Sequence, residues 1–529
     1  MVAPNAIQNI TPQPLAIVGG NQFGRYSKIS VEETFNMLIS DDALVPYAGY
    51  KNVLTKDPDS VGRGLYSSSR GNLMVAVWGD QVFRINPDLT ANFIGNVATS
   101  SGDIFISENN NAEIALTDGV NVYVYNWLTF TYLTSIGGID FTVPFSSPGY
   151  ISFQNGRLII ADNGTQNWYL SGFNDATDWP ATSNFVGALQ SKPDTIQAAV
   201  PTPGGGNNLV LFGNNVTEQW QDVGATLFPY QRSSSFNVDF GTLNASSIAT
   251  LDNYVVWLAG NEQSGATLMY YSGNKSQSIS TDGINFKLAG LTNPSNCTGF
   301  LFRQDGHILY QFTFPDDNLS YVYDFNTQKF FTVTDEDMNY HIARTVVFFN
   351  NKYYFVSLRG GNLYEFGTQY TDADYGFDDI RQIPRIRVTP PFRVVDQRYF
   401  IIKSLGFTIE NGLPNDIMVI SNLADSGDDI TTEGGVAITT ENDVYIVTES
   451  YEDSTYSYSI ASESVDLSIS RDGGATFGGS LRLNMNPVGK RKSRFIFQRL
   501  GQANDATFQI RFNGFGRFVV FDGQVEIYQ

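Results

Sequence analysis

The sequence predicts an all-β protein, a β-propeller of six or seven blades followed by a C-terminal antiparallel β-module, and three observations carry that prediction. Turn formers abound beside bulky β-formers, with 49 Gly and an aromatic share of 14%, a mix that suits short strands joined by tight turns. A unit of apolar run, Gly/Asn/Asp turn and second apolar run recurs through the interior. Amphipathic helical patterning is nearly absent, "VEETFNMLI" near Glu32 being the single short candidate.

The repeats begin at Asn72 ("NLMVAVWGDQVFRIN"), Ala112 ("AEIALTDGVNVYVYN"), Ile151 ("ISFQNGRLIIAD"), Asn208 ("NLVLFGNNVTEQW"), Asn253, Gly306 and Asn351. Their starts lie 40, 39, 57, 45, 53 and 45 residues apart. Period-2 runs about a two-residue turn form hairpins, and hairpins at this interval suggest four-stranded blades. The propeller is placed at 61–370, after an N-terminal arm at 1–60. A passage at 371–398 is rich in Pro and Arg, including Arg381, Arg385, Arg387, Arg393 and Arg398. From 399 to 529 strands return, as a sandwich or as the blade that closes the ring. This module contains an acidic excursion at 411–465. Between Lys403 and Arg471 there are thirteen Asp and Glu and no Lys or Arg, which reads as a solvated loop. Positive charge returns at Lys490, Arg491, Lys492 and Arg494.

Length and charge exclude several classes. A chain of 529 residues readily buries a core. The net charge of −21 argues against nonspecific affinity for nucleic acid or anionic membrane. The one cysteine, Cys297, permits no intrachain disulfide and no Cys-based zinc site, and is expected to be a buried small hydrophobe. The first twenty residues contain no Lys or Arg and several prolines, so no secretory signal is expected. No window has the length and apolarity of a membrane span.

The chemistry-bearing motifs are few. "SISRDGGATF" contains Ser470, Asp472, Gly474, Thr476 and Phe477 in the S-x-D-x-G-x-T-F pattern of an Asp box. Its Asp accepts from backbone N–H groups, its glycines supply positive φ, and its aromatic ring is expected to plug into the core. It closes a hairpin and supplies no reacting group. "SISTDGINF" at 278–286 reads as a shortened relative. A sialidase would need a Tyr nucleophile paired with Glu, an acid/base Asp and an arginine cluster, and "QIPRIRVTP" has the wrong order for the expected arginine motif. His307 and His341 are too few for a His-rich metal centre and read as strand or turn residues. No phosphate loop occurs, and Gly204 to Gly206 read as a flexible loop. "DADYGFDD", with Asp372, Asp374, Asp378 and Asp379, is the one candidate Ca²⁺ loop, set against an exposed acidic turn. The two basic clusters (Arg381, Arg385, Arg387 and Arg393; Lys490, Arg491, Lys492 and Arg494) are either surface ion pairs or contacts between subunits.

Several blocks together resemble one family, the tail-hub proteins of short-tailed phages, also called packaged-DNA stabilisation or head-completion proteins. They are "ALVPYAGYKNV" with "GRGLYSSSRGNLMVAVWGDQVFRI", "PGYISFQNGRLIIADNGTQNWYLSGFNDATDW", "LVLFGNNVTEQWQDVG" through "NKSQSIST", "GHILYQFTFPDDNLSYVYDFNTQKFF", and the Asp box with "GKRKSRFIFQRLGQANDATFQIRF". The 411–465 excursion departs from the pattern. The resemblance implies a non-enzymatic virion tail protein without a cofactor. It would form a ring, typically a hexamer, beneath the portal–adaptor protein, extending and sealing the DNA exit channel. It would also carry tail fibres or spikes and a channel plug or needle. An acidic lumen would let DNA pass without specific binding. The alternatives are a sialidase-like or carbohydrate-binding propeller and a fibre-proximal receptor-binding subunit.

Overall fold

A computed structural model describes residues 10–23, 32–56, 59–203, 207–272, 275–376, 379–394, 399–413, 464–485, 492–514 and 517–528. Seven small antiparallel sheets follow one another along the chain. The first six blades occupy Gly62–Asn96, Phe105–Thr134, Pro148–Ala188, Ile196–Val238, Gly241–Ser278 and Thr298–Thr332. The seventh is built from Ala343–Phe349, Lys352–Ser357 and Asn362–Gly367, with Gly49–Thr55 from the start of the chain as its fourth strand, beyond which Ala373–Asp374 and Ile380–Arg381 extend the sheet. The ring is thus closed by an N-terminal strand, with Gly49 opposite Gly367 and Tyr50 opposite Phe366. The C-terminal module does not close it.

Burial explains why the blades stand in a ring. Each pair of neighbours shares an apolar layer. Val75 and Val77 of the first blade meet Leu116 and Tyr123 of the second. Around the circle, Met74, Trp78 and Phe83 of the first blade meet Phe349, Tyr354 and Val356 of the seventh. A blade buried on both faces reads as a continuous apolar run, not as an alternating one, and Leu73–Trp78 is buried at every position. Turn chemistry sets the hairpins. Asn155 and Gly156 have φ of 48° and 84°, the pair of positive values that a type I′ turn requires. That hairpin joins the first and second strands of its blade, whereas the repeats at Asn72, Ala112 and Asn208 join the second and third. This offset is why the third repeat breaks the spacing.

The C-terminal module is a β-sandwich. One sheet contains Ile10–Leu15, Gly523–Tyr528, Phe400–Leu413, Lys492–Ala503, Arg517–Val520, Ala43–Pro46 and Met37–Ser40. The other runs Glu33–Phe35, Arg385–Val388, Thr507–Asn513, Ser464–Ser470 and Leu481–Asn484, and continues the sixth blade through a parallel bridge between Phe35 and Thr332. Phe407, Val465, Leu467, Phe497, Phe508 and Phe512 fill the space between the sheets. The described residues of 1–60, a segment read as an arm, are therefore divided between both domains, and Arg385–Val388 of the passage 371–398 is a central sandwich strand.

Two local expectations are corrected. "VEETFNMLI" forms strands Glu33–Phe35 and Met37–Ser40, interrupted at Asn36 with φ of 54°, because sheet partners, on both sides of the first and on one side of the second, outweigh its helix propensity. "SISTDGINF" is no box but the start of a helix, Asp282–Ala289, capped by the Thr281 side chain accepting from the Ile284 N–H. Ile284 and Leu288 anchor it against Leu258 and Leu268.

Candidate functional site

The two central arginines of the passage lie inside the protein, not on a surface. Arg385 is 1% exposed and Arg387 0%, so neither can dock another subunit nor form a surface ion pair. Both stand on Arg385–Val388, whose neighbours in the sheet are Glu33–Phe35 and Thr507–Asn513. Arg387 pairs with Glu32 and donates to the Ile17 carbonyl at 2.6 Å and Thr34 Oγ1 at 3.0 Å. Arg385 donates to the Thr371 and Gly514 carbonyls and lies 3.4 Å from Asp372, over the Phe518 ring. Each guanidinium forks into carbonyls and a carboxylate, the pairing that makes a buried charge tolerable. The chain leaves no room for a side chain beside them: a Cβ on Gly19 would collide with both Arg387 and Glu32.

Around Arg387 a polar joint ties propeller to sandwich. The Asn36 side chain donates to Thr334 Oγ1 and the Pro384 carbonyl, both at 2.7 Å, and accepts from the Thr334 N–H at 2.7 Å. Asn21 does the same between Thr332 and the Thr34 N–H, at 2.8 and 2.7 Å. A continuous sheet and satisfied buried amides thus join the two domains.

The other candidates fall into three groups. Arg381 pairs with Asp379 and Glu336, and Arg393 pairs with Asp505, so both side chains already have partners within the chain. Lys492 and Arg494 project from the outer sandwich face, where exposed and buried residues alternate along Lys492–Ala503. Lys490, Arg491, Arg398 and Asp378 lie outside the described residues, as do Gly204 to Gly206 and most of the acidic excursion.

The remaining residues of the Ca²⁺ reading point apart. Asp372 is buried against Arg385 and accepts from Thr371 Oγ1 at 2.9 Å and from the Ile383 N–H, with burial raising its carboxyl above the usual range. Asp374 faces Lys51 at 3.4 Å and accepts from the Gly376 N–H at 2.9 Å. Among the described residues, no cluster of three or more His, Cys, Asp or Glu side chains is arranged to hold a metal.

The S-x-D-x-G-x-T-F turn sits in the sandwich, between Ser464–Ser470 and Leu481–Asn484. Asp472 accepts from the Ala475 and Thr476 N–H groups at 3.0 Å each and from Ser470 and Thr476 hydroxyls at 2.5 Å each. Those donors hold its carboxyl far below the usual range. Gly473 and Gly474 take φ of 77° and 94°. Phe477 is only half-buried, so the expected aromatic plug is absent, and the Asp472 carboxylate organises the turn together with Ser470 Oγ, which accepts from the Gly474 N–H at 2.9 Å. Asp472→Ala is expected to lower the melting temperature at neutral pH. The depressed carboxyl stabilises the fold above its unfolded value and ceases to as pH falls through its folded value. The gap between variant and parent should therefore narrow in acid, as read by differential scanning fluorimetry across pH.

Both histidines have structural partners. His307 Nδ1 lies 2.9 Å from Asp324. His341 is buried among Tyr47, Tyr50, Phe355 and Phe366, and desolvation pushes its imidazole down to about 3. The unfolded chain binds a proton near pH 6.5 that the folded chain refuses, so stability falls as pH drops from 6.5 towards 3. The slope is about 1.4 kcal/mol per pH unit for one proton. His341→Gln is expected to flatten that slope in urea unfolding between pH 6.5 and 4.

Sequence reasoning did not single out a tyrosine–glutamate pair. Tyr375 Oη donates to Glu336 at 2.9 and 3.0 Å, with Tyr50 Oη at 3.4 Å and Arg381 at 3.5 Å. Burial is the main cause raising the Tyr375 hydroxyl well above its ordinary value. That direction keeps it a neutral phenol and opposes use as a nucleophile. The pair instead joins the closing strand to the loops flanking the seventh blade. Cys297 is likewise buried, which raises its thiol far above its ordinary value, so it packs as a small hydrophobe.

The fold and these sites define a class: a propeller joined to a β-sandwich, whose buried polar clusters brace the architecture. Its family follows from comparison with known sequences. The family model described as "Bacteriophage P22 Gp10, beta-propeller" matches residues 31–371, and that described as "Bacteriophage P22 Gp10, beta-sandwich" matches residues 436–528. The chain belongs to the bacteriophage P22 Gp10 family, and is a phage structural protein. Because the sandwich match starts at 436, the second part of the acidic excursion is family pattern and not a departure from it. No curated protein matches the chain. Among solved structures, it is similar to virginiamycin B lyase from Staphylococcus aureus, at 12% identity and a TM-score of 0.42, over 60% of this chain and 98% of that one. It is also similar to a chain of the Mitotic Checkpoint Complex, at 13% identity and a TM-score of 0.39, over 60% and 95%.

Proposed function

We propose that this chain is the tail hub, or nozzle, of a short-tailed phage. Six copies close a ring beneath the portal–adaptor, extend and seal the DNA exit channel, and anchor tail fibres or spikes and the plug. The protein acts without catalysis or cofactor. The observation that carries this reading is the family match to both domains, 31–371 and 436–528, in a chain whose domains share one continuous sheet. A stiff body of this kind transmits force between neighbours without hinging, and a heterologous interface closes copies into a ring. The net charge of −21 lets DNA slide past a wall that repels phosphate.

Mass photometry of the purified protein, alone and with portal–adaptor complex, tests the proposal. The expected result is a cyclic assembly, six-fold on the adaptor. A protein that stays monomeric and ignores the adaptor would overturn it. Mapping of the lumen in the assembled ring tests the acidic wall, which a lining of mainly Lys and Arg would refute.

A further inference from the structure

First strands of neighbouring blades meet at the centre of the ring, as where Ser152 Oγ donates to the Ala199 carbonyl at 2.8 Å. The loop between the third and fourth strands therefore lies at the outer rim of one face. In three consecutive blades that loop holds large apolar side chains out to solvent. They are Leu128 and Phe130 in the second blade, 65% and 66% exposed, Phe173 in the third, 68%, and Leu227 in the fourth, 76%. Packing fixes each loop. The Asn126 side chain accepts from the Leu128 and Thr129 N–H groups at 3.0 and 3.1 Å, and Arg84 lies over the Phe130 ring. Phe173 rests on Gly156, where a Cβ would collide with its ring. Leu227 precedes Phe228, which packs against Trp168, Trp220 and Tyr230. The equivalent loop of the sixth blade turns its Phe325 inward onto Tyr254 and Tyr323, and that of the first keeps Leu89 half-buried. Apolar residues scattered singly need no explanation, whereas a run of them at one equivalent position in neighbouring blades marks an interaction surface. Loops already ordered also lose little conformational freedom when covered.

We propose that this arc docks on a second copy of the chain, against the sandwich strand Lys492–Ala503. The arc is acidic as well as apolar. Asp175, Asp178 and Asp222 lie in or beside the same loops and form no ion pair among the described residues. Blades two to four, Phe105–Val238, carry ten Asp and Glu against three Lys and Arg. Lys492–Ala503 is the converse. It contains no acid, and its exposed positions include Lys492, Arg494 and Arg499 with Ile496, 42% exposed, among them. Arc and strand thus complement each other in both charge and apolarity. Position assigns the contact to a second copy. The sandwich continues the sheet of the sixth blade. The second and third blades are each three places from the sixth, the farthest positions in a ring of seven, so the arc faces away from its own sandwich. Two different surfaces on opposite sides of one subunit make a head-to-tail contact, the kind that closes copies into rings. The docking rests on the proposed ring and names the surfaces that close it.

Two variants of the full chain test it. Leu128→Lys/Phe173→Lys/Leu227→Lys makes the arc basic, and Arg494→Glu/Ile496→Glu/Arg499→Glu makes the strand acidic. Association is read by mass photometry with portal–adaptor complex and by analytical ultracentrifugation without it. Each variant alone sets like charges against each other, and its association is expected to weaken at least about tenfold. In an equal mixture opposite charges meet at one junction and parental surfaces at the next. Association is therefore expected to return, and to weaken as salt rises. The parent gives a measurement free of any folding defect: hydroxyl-radical footprinting is expected to show Leu128, Phe130, Phe173, Leu227 and Ile496 protected in the assembly relative to the monomer. Assemblies that persist in both variants, or equal oxidation of these side chains in monomer and assembly, overturn the docking while leaving the tail-hub reading intact. A mixture that stays dissociated overturns the pairing of these two surfaces. Association that the variants abolish and the mixture restores, in a protein that the adaptor does not gather into a ring, overturns the tail-hub reading and leaves the docking standing. A parent that stays monomeric throughout overturns both.

Discussion

Replacing Arg387 by alanine is expected to cost about 3–5 kcal/mol of folding stability, because it strands the buried carboxylate of Glu32 without its partner. It also unpairs the Ile17 carbonyl and Thr34 Oγ1, the contacts that fasten the N-terminal segment to the sandwich. Burial lowers the guanidinium's proton affinity while Glu32 opposes that effect, so the charge depends on its pair. Urea unfolding followed by tryptophan fluorescence measures the loss. Arg387→Lys is expected to rescue little, since one ammonium cannot reproduce a fork that meets Ile17, Thr34 and Glu32 together. The double variant Arg387→Met/Glu32→Leu is expected to lose less than Arg387→Ala, because removing both charges leaves none buried alone. A single variant as stable as the parent would show that the pair is not the brace described here.

Tyr50→Ala is the second large effect, at about 3–5 kcal/mol for emptying a large aromatic site in a packed core. Tyr50 is 0% exposed on the strand that closes the ring. Its ring meets His341, Phe355, Tyr364 and Tyr375 edge-on. The lost contacts join a strand from the start of the chain to a blade some three hundred residues later, so their loss should open the propeller at that seam. Hydrogen exchange is expected to rise first in 49–55 and 362–367, the two strands that pair there. Tyr50→Phe keeps the ring contacts and loses only the long hydrogen bonds near 3.4 Å to Glu336 and Tyr375, so it should remain close to the parent. Uniform exchange across all blades in Tyr50→Ala would contradict a local seam.

Both predictions stand on residues that sequence reasoning misplaced or passed over. Arg385 and Arg387 lie in a Pro- and Arg-rich run that reads as a surface passage, since burying an arginine is costly without a partner. Asp372 lies only thirteen residues before Arg385, but Glu32 is 355 residues from Arg387 and is brought to it by sheet pairing, which leaves no local signal for Glu32. Arg63 is a third case: buried in the first blade, it donates to the Gly79 and Gly102 carbonyls at 2.8 and 2.9 Å. Tyr50 carries no mark in the sequence either, for its strand belongs to a blade whose other strands begin at Ala343.

What the sequence by itself determined is everything governed by local pattern. Runs of β-formers about turns such as Asn155–Gly156 specify the hairpins, and their recurrence specifies blades, because a two-residue turn admits one strand geometry. The sandwich strands after Tyr399, the turn at Asp472 and the family resemblance were legible in the same way. Tertiary structure alone decided the number of blades, the closure by Gly49–Thr55, the recruitment of Ile10–Leu15, Glu33–Phe35, Met37–Ser40 and Ala43–Pro46 to the sandwich and the burial of the arginines. These follow from which distant strands pair, and the free energy of that choice lies in apolar layers and ion pairs formed between segments far apart in the chain. A period of two residues repeats along a strand but says nothing about its neighbour.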